Sequence, residues 1–183
     1  MDGQRRLGIG IIGAGNISSQ YLKAMRDFPV LETVGIADMR DEAAAARGAE
    51  FGVPAATVAQ LLADPAVDIV LNLTIPRAHV EVGLRALAAG KHVYGEKPLG
   101  IDLADGRRLL QAADAAGLRL GSAPDTFLGG AHQQARQVID SGAIGAVVGG
   151  TAFFACPGHE YWHPDPAFYY DIGGGPVLDM GPY

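Results

Sequence analysis

The chain has one cysteine, one tryptophan and few charges for its 183 residues, and each shortage removes a class of function. A single thiol, Cys156, cannot close an internal disulfide, so the fold has to rest on a hydrophobic core. Set among Phe153, Phe154 and Pro157, Cys156 is expected to be buried as a small hydrophobe rather than to act as a nucleophile. Charged residues make up only 19%, the net charge is −6, and no stripe of lysine and arginine is available to displace phosphate counterions. Nucleic acid is therefore not an expected partner. Apolar runs such as Ile69 to Leu73 fall far short of the roughly 20 residues of a spanning helix, so no membrane partner is expected either. Arg5 and Arg6 superficially match a twin-arginine export signal, but a glycine-rich strand follows them and no signal peptide with a small-residue cleavage site is seen, which predicts a cytoplasmic protein.

What remains is an apolar, glycine- and alanine-rich composition with 49% hydrophobic residues, suited to an α/β domain with a real core. The most informative stretch is Leu7 to Ser18, LGIGIIGAGNIS, in which an apolar run leads directly into spaced glycines. Gly13 suits the tight turn off a strand and Gly15 lets backbone approach a pyrophosphate, while the next helix aims its free N–H groups at the anion. Ser18 stands where a third glycine is usual and is small enough for close helix-to-strand packing.

Glycine-rich turns are common, so context has to support the motif. Asp38 closes a second apolar run, Thr33 to Ala37, about 20 residues after the turn, where an acid holds adenosine ribose hydroxyls. The competing reading makes Asp38 a cap for a helix starting near Asp41. Arg40 could pair with a 2′-phosphate but sits beside that carboxylate, so NAD is favoured over NADP.

Helices are predicted over Ser19 to Phe28 and Asp41 to Phe51, with a short one from Thr57 punctuated by Asp64-Pro65. Val67 to Leu73 reads as a fourth strand, nearly continuous in apolar residues as a strand covered on both faces should be. Helix Ala78 to Ala89 stops at Gly90, and a short strand Lys91 to Tyr94 leads through Gly95-Glu96-Lys97-Pro98 to helix Leu103 to Ala116. This alternation predicts a doubly wound parallel sheet, a Rossmann-like α/β fold.

The segments GIIGAGNIS, Ala37-Asp38, TIPRAH (Thr74 to His79), GKHVYGEKP (Gly90 to Pro98), SGAIG (Ser141 to Gly145) and GGGPVLDMGPY (Gly173 to Tyr183) span essentially the whole chain. In them it resembles the Gfo/Idh/MocA family of NAD(P)-dependent oxidoreductases, which act mainly on sugars, inositols and related polyols. The resemblance implies a lysine of the Glu-Lys-Pro motif, here Lys97, near nicotinamide and substrate. The rule that open α/β sheets bind ligands outside the carboxyl ends of their strands puts Lys97 there as well; without the motif it would read as a surface lysine in a turn. A cofactor-binding set of Gly13, Gly15, Asn16, Ile17, Asp38 and Arg40 follows on one side. On the other come Thr74, Pro76, His79, Glu96 and Lys97. For His79 the choice lies between a cofactor-side contact and a solvated residue in the first turn of a helix.

Hydride transfer from an alcohol also needs a group to take the hydroxyl proton, or to supply it in reverse. The family's Asp-x-Gly-x-His pattern is matched by Asp179-Met180-Gly181-Pro182-Tyr183 except for tyrosine in the histidine position. The resemblance then implies Lys97, Asp179 and Tyr183 as the catalytic residues, with Tyr183 exchanging the proton and Asp179 orienting hydroxyls; it makes inositol-like branches less fitting. The plainer reading of Asp179 is a helix cap after Gly175-Pro176.

His159-Glu160-Tyr161-Trp162-His163 spells the zinc-protease signature, but Pro157, Gly158, Pro164 and Pro166 argue against the helix that zinc binding needs, so no metal is expected. Tyr161, Trp162, Phe168, Tyr169 and Tyr170 either stack on a sugar-like substrate or simply pack together.

The dinucleotide domain is expected to span residues 1–122. Residues 123–183 begin a substrate and oligomerisation domain, with a helix Ala131 to Ser141 and a strand Val147 to Ala155 that lacks neighbours. Family members are considerably longer, which implies a truncated enzyme or a fragment, homo-oligomeric in its full-length form. The expected function is an NAD(P)-dependent oxidoreductase acting on a sugar-like alcohol or carbonyl. The alternative is a non-catalytic dinucleotide-binding or sensor module, and a zinc hydrolase ranks third.

Overall fold

The computed structural model describes residues 5–158, 160–161, 163–164 and 166–183. Two units are present, one reaching Ala123 and the other running from Pro124 to Tyr183.

The first unit is a five-stranded sheet, β1 (Leu7–Ile12), β2 (Leu31–Ala37), β3 (Ile69–Asn72), β4 (His92–Gly95) and β5 (Leu120–Ser122), in the order β2-β1-β3-β4-β5 with every pairing parallel. Outside β2, Ala55 makes a single parallel bridge to Ile36, and Pro54 and Ala56 bond the two sides of Ile36. Pro54 has no amide hydrogen to extend the ladder, which keeps this edge to one bridge. Ile69–Asn72 is therefore the third strand rather than the expected fourth, and it is shorter than the expected Val67 to Leu73.

The strands connect through α1 (Ser18–Met25), α2 (Asp41–Phe51), α3 (Val58–Ala63), α4 (His79–Ala88) and α5 (Leu103–Ala116). Period-2 alternation in β1 serves both faces of the sheet: Ile9 and Ile11 join a core with Leu22 and Ile36, while Ile12 joins another with Val80, Leu87 and Leu109. Helices on both faces explain why β1 and β3 are almost wholly apolar. Thr57 opens α3 in a reciprocal capping box with Gln60, and Asp102 caps α5 through the amide of Asp105 at 2.8 Å. The α1 helix is shorter than expected, ending at Met25 because residues 26–28 close as turns.

In the second unit α6 (Gly130–Asp140) and α7 (Gly175–Asp179) flank a 3-10 turn, Pro166–Tyr170. The strand expected over Val147 to Ala155 does not form. A lone extended segment has no partner for its backbone groups, and Val148 and Phe153 stand almost fully exposed. Cys156 is likewise exposed rather than buried. Among the described residues no helix is long and apolar enough to cross a membrane.

Candidate active site

The chain passes from β1 to β2 on one side and then crosses back to β3 on the other, so the strand order reverses at β1, where open α/β sheets form a ligand crevice beyond the carboxyl ends of their strands. Gly13 leaves β1 at a φ of 111°, with its amide on the Ala37 carbonyl at 2.8 Å. A Cβ there would overlap the Leu73 carbonyl at the exit of β3. Glycine is thus required twice over, by conformation and by close approach. Gly15, Asn16 and Ile17 are exposed, and a Cβ on Gly15 would meet no atom within 4 Å. Ser18 is fully buried and folds its hydroxyl onto the Gly15 carbonyl at 2.7 Å, which fixes the turn against the start of α1.

Asp38 follows β2 and is largely buried. Its Oδ2 accepts the Ala14 amide at 2.8 Å and its Oδ1 accepts the Arg40 amide at 3.0 Å. Each carboxylate oxygen keeps a second acceptor site for a ligand hydroxyl. Asp38 is not the cap of α2; that position belongs to Arg40, which makes no side-chain cap bond. The Arg40 guanidinium is exposed and leans toward Asp38, Nε lying 3.9 Å from Oδ1. Arg47 of α2, which sequence reasoning missed, reaches the Gly15 carbonyl at 3.4 Å and pairs with Glu50 at 2.7 Å. Its buried Nε has no hydrogen-bond partner among the described residues. An open glycine turn, an exposed approach to the start of α1 and a pre-set carboxylate fit a dinucleotide: room for the pyrophosphate, a helix N-terminus for its charge and acceptors for a ribose.

On the other side of the crevice Asn72 is almost fully buried. It donates to the His79 carbonyl at 2.9 Å and accepts the Thr74 hydroxyl at 2.7 Å. Pro76 starts a 3-10 turn that leads into α4. His79 is 3% exposed, which overturns its reading as a solvated residue. Nδ1 faces the Pro98 carbonyl at 2.7 Å and Nε2 the Thr74 carbonyl at 2.9 Å, so the ring ties the exit of β3 to the Glu-Lys-Pro turn. Its burial follows from α4, which also packs Val80, Gly83, Ala86 and Leu87 inward. Glu96 and Lys97 follow β4, and both are half-buried. Glu96 accepts the Tyr21 phenol at 2.7 Å and the Lys97 amide at 3.1 Å. Tyr21 and Asn72 were not anticipated from the sequence. A polar residue inside a buried apolar strand was a legible signal for Asn72; nothing local marks Tyr21.

Asp179 and Tyr183 belong to the second unit. Asp179 is the last residue of α7 and so does not cap its start. A Cβ on Gly181 would overlap the Val177 carbonyl, which explains glycine between the aspartate and the tyrosine. The Tyr183 amide bonds the Met180 carbonyl at 3.1 Å, and the Tyr183 carbonyl accepts the Thr126 hydroxyl at 3.4 Å. His159 and Trp162 lie outside the described residues, and Glu160 and Tyr161 sit in a turn, not a helix. Tyr169 is buried with its ring edge-on to Tyr170 at 5.4 Å, so this pair packs together, while Tyr161 is exposed. The Tyr170 phenol bonds the Glu160 carboxylate, which raises its pKa above the ordinary tyrosine value.

A parallel doubly wound sheet with this turn and acid defines an NAD-binding Rossmann domain. Residues 7–123 match the oxidoreductase family with an NAD-binding Rossmann fold, and residues 132–183 match the GFO/IDH/MocA C-terminal domain. The chain belongs to the Gfo/Idh/MocA oxidoreductase family. It is 34% identical to 1,5-anhydro-D-fructose reductase of Ensifer adhaerens, over 93% of this chain and 52% of that protein. To dTDP-3,4-didehydro-2,6-dideoxy-alpha-D-glucose 3-reductase of Actinomadura kijaniata it is 35% identical, over 96% of this chain and 53% of the relative. The WlbA dehydrogenase of Bordetella pertussis, solved with NADH and UDP-GlcNAcA, superposes with a TM-score of 0.74 at 29% identity, over 77% of this chain and 41% of WlbA. The chain thus spans about half the length of the curated relatives it matches.

Proposed function

We propose that this chain carries the cofactor-binding part of an NAD(P)-dependent dehydrogenase or reductase acting on a sugar-like alcohol or carbonyl. The observation that carries the reading is the shared edge: the glycine turn after β1, Asp38 after β2 and Lys97 after β4 all leave the carboxyl ends of one parallel sheet. Relatives that reduce an anhydro-sugar and a dTDP-linked sugar support the substrate class.

In this reading Gly15, Asn16 and Ile17 take the pyrophosphate on their amides, at the turn that Gly13 makes possible, helped by the positive end of α1. Asp38 accepts from the adenosine ribose, which favours NAD, and Arg40 is the residue to meet a 2′-phosphate. Thr74 and Pro76 border the nicotinamide half, with His79 and Glu96 holding the loops behind it. What a bound nicotinamide supplies is the site that gives or takes a hydride. The Lys97 ammonium holds the substrate oxygen, and Tyr183 gives up its phenolic proton to that oxygen during reduction or, as phenolate, takes it during oxidation. Asp179 orients neighbouring hydroxyls. A cytoplasmic setting suits an enzyme drawing on the NAD(P) pool, and the exposed Val148, Phe153 and Phe154 suit a self-associating second unit.

The test is calorimetric titration with NADH and, separately, NADPH, followed by turnover with a panel of polyols and sugar ketones. Saturable binding, with turnover lost in Lys97→Ala at unchanged cofactor affinity, supports the reading. No binding by folded chain overturns it, and binding without turnover across the panel favours a sensor module.

A further inference from the structure

The Glu96 carboxylate does not stand toward the crevice as an isolated ligand group: it joins two pieces of chain 75 residues apart in sequence. One oxygen accepts the phenol of Tyr21, on α1, at 2.7 Å, and the other accepts the Lys97 amide at 3.1 Å. The Glu96 amide is fixed in turn to the Asn72 carbonyl at 2.9 Å, so the side chain swings from an anchored backbone. Tyr21 lies one helical turn after Ser18, whose hydroxyl holds the Gly15 carbonyl at 2.7 Å, and its ring packs against the core formed by Ile9, Ile11 and Leu22. A continuous set of contacts therefore runs from the dinucleotide turn, through the first turn of α1, to the peptide that carries Lys97.

We propose that Tyr21 and Glu96 are positioning residues that set the place of Lys97 relative to the dinucleotide turn. The inference rests on the reading of Lys97 as the group that holds the substrate oxygen. Glu96 then acts through Lys97 rather than on cofactor or substrate. A half-buried carboxylate taking two donors is a firm anchor, because bonds to a charged acceptor are about twice as strong as neutral ones.

The chain has three lysines, which makes the test direct. Acetylation by acetic anhydride, followed by mass spectrometry, reads Lys97 against Lys23, which is exposed, and Lys91, which is buried and bonded to the Asp64 and Val67 carbonyls. Tyr21→Phe keeps the ring and removes one hydroxyl; it should raise the Lys97 rate several-fold and leave Lys23 and Lys91 unchanged. Glu96→Ala removes the same bond together with the one from the Lys97 amide, so it should raise the rate at least as much, and the double variant no more than Glu96→Ala alone. Glu96→Gln, which keeps an acceptor oxygen, should fall between wild type and Glu96→Ala. If Glu96→Ala also releases Lys91, its fold has opened and Tyr21→Phe with Glu96→Gln decides. In turnover Tyr21→Phe should lower kcat about tenfold with KM for the dinucleotide unchanged. A wild-type Lys97 rate in Tyr21→Phe, or additive effects in the double variant, overturns the coupling while NADH binding still stands. Absence of NADH binding by wild type instead overturns the reading beneath it.

Discussion

The Asp38 carboxylate and the Ala14 amide meet at 2.8 Å across 24 residues of sequence. This bond fixes the end of β2 against the turn that follows β1, so the acid is already aimed when a dinucleotide arrives. Asp38→Ala removes both the ribose acceptor and this anchor. A hydrogen bond to a charged group contributes about 1.5–3 kcal/mol, so NADH affinity should fall roughly ten- to hundredfold. NADPH should lose less, because Arg40 is no longer drawn toward a carboxylate. Titration of the variant with each cofactor checks both statements.

Gly13 and Gly15 should respond in opposite ways to the same added methyl. Gly13→Ala places a Cβ against the Leu73 carbonyl at a φ of 111°, and is expected to destabilise the fold by about 1–3 kcal/mol. Gly15→Ala meets nothing within 4 Å and should leave stability within about 0.5 kcal/mol of wild type, while weakening NADH binding by crowding the pyrophosphate. Urea denaturation beside calorimetry separates the two effects.

Asn72→Leu matches the apolar surroundings of β3 but leaves the His79 carbonyl and the Thr74 hydroxyl without their partner. The expected cost is about 1–3 kcal/mol, read as a lower urea midpoint at unchanged slope. An unchanged midpoint would show that the two groups find other partners.

Tyr170 should ionise at higher pH than an ordinary tyrosine because the neutral phenol donates to Glu160. With the folded value raised, any stabilisation is present below the unfolded pKa, near 10, and is lost as pH rises through the folded one. Both groups are exposed, so the effect is to be sought in an absorbance titration, where Glu160→Gln should bring this tyrosine back toward the ordinary value.

Much of the first unit was legible because its signals are local. β1, the glycine turn, α2 and α5 each follow from periodicity, a cap or a glycine stop within a few residues. The strand expected over Val147 to Ala155 failed because strand formation depends on neighbours that apolar sequence alone does not supply. Cys156 failed with it, since burial is a property of the covering layer. His79 was undecided for a related reason: only the packing of α4 on the sheet says whether the first residue of that helix faces water or the core.

By itself the sequence determined the alternation of strands and helices, the glycine turn and the acid that follows it, because backbone conformation and apolar spacing are encoded residue by residue. Only the tertiary structure decided which distant groups meet: Ala14 with Asp38, Tyr21 with Glu96, and His79 with the Thr74 and Pro98 carbonyls. Those meetings depend on strand order and helix packing, which bring together residues with no mark of one another in the chain.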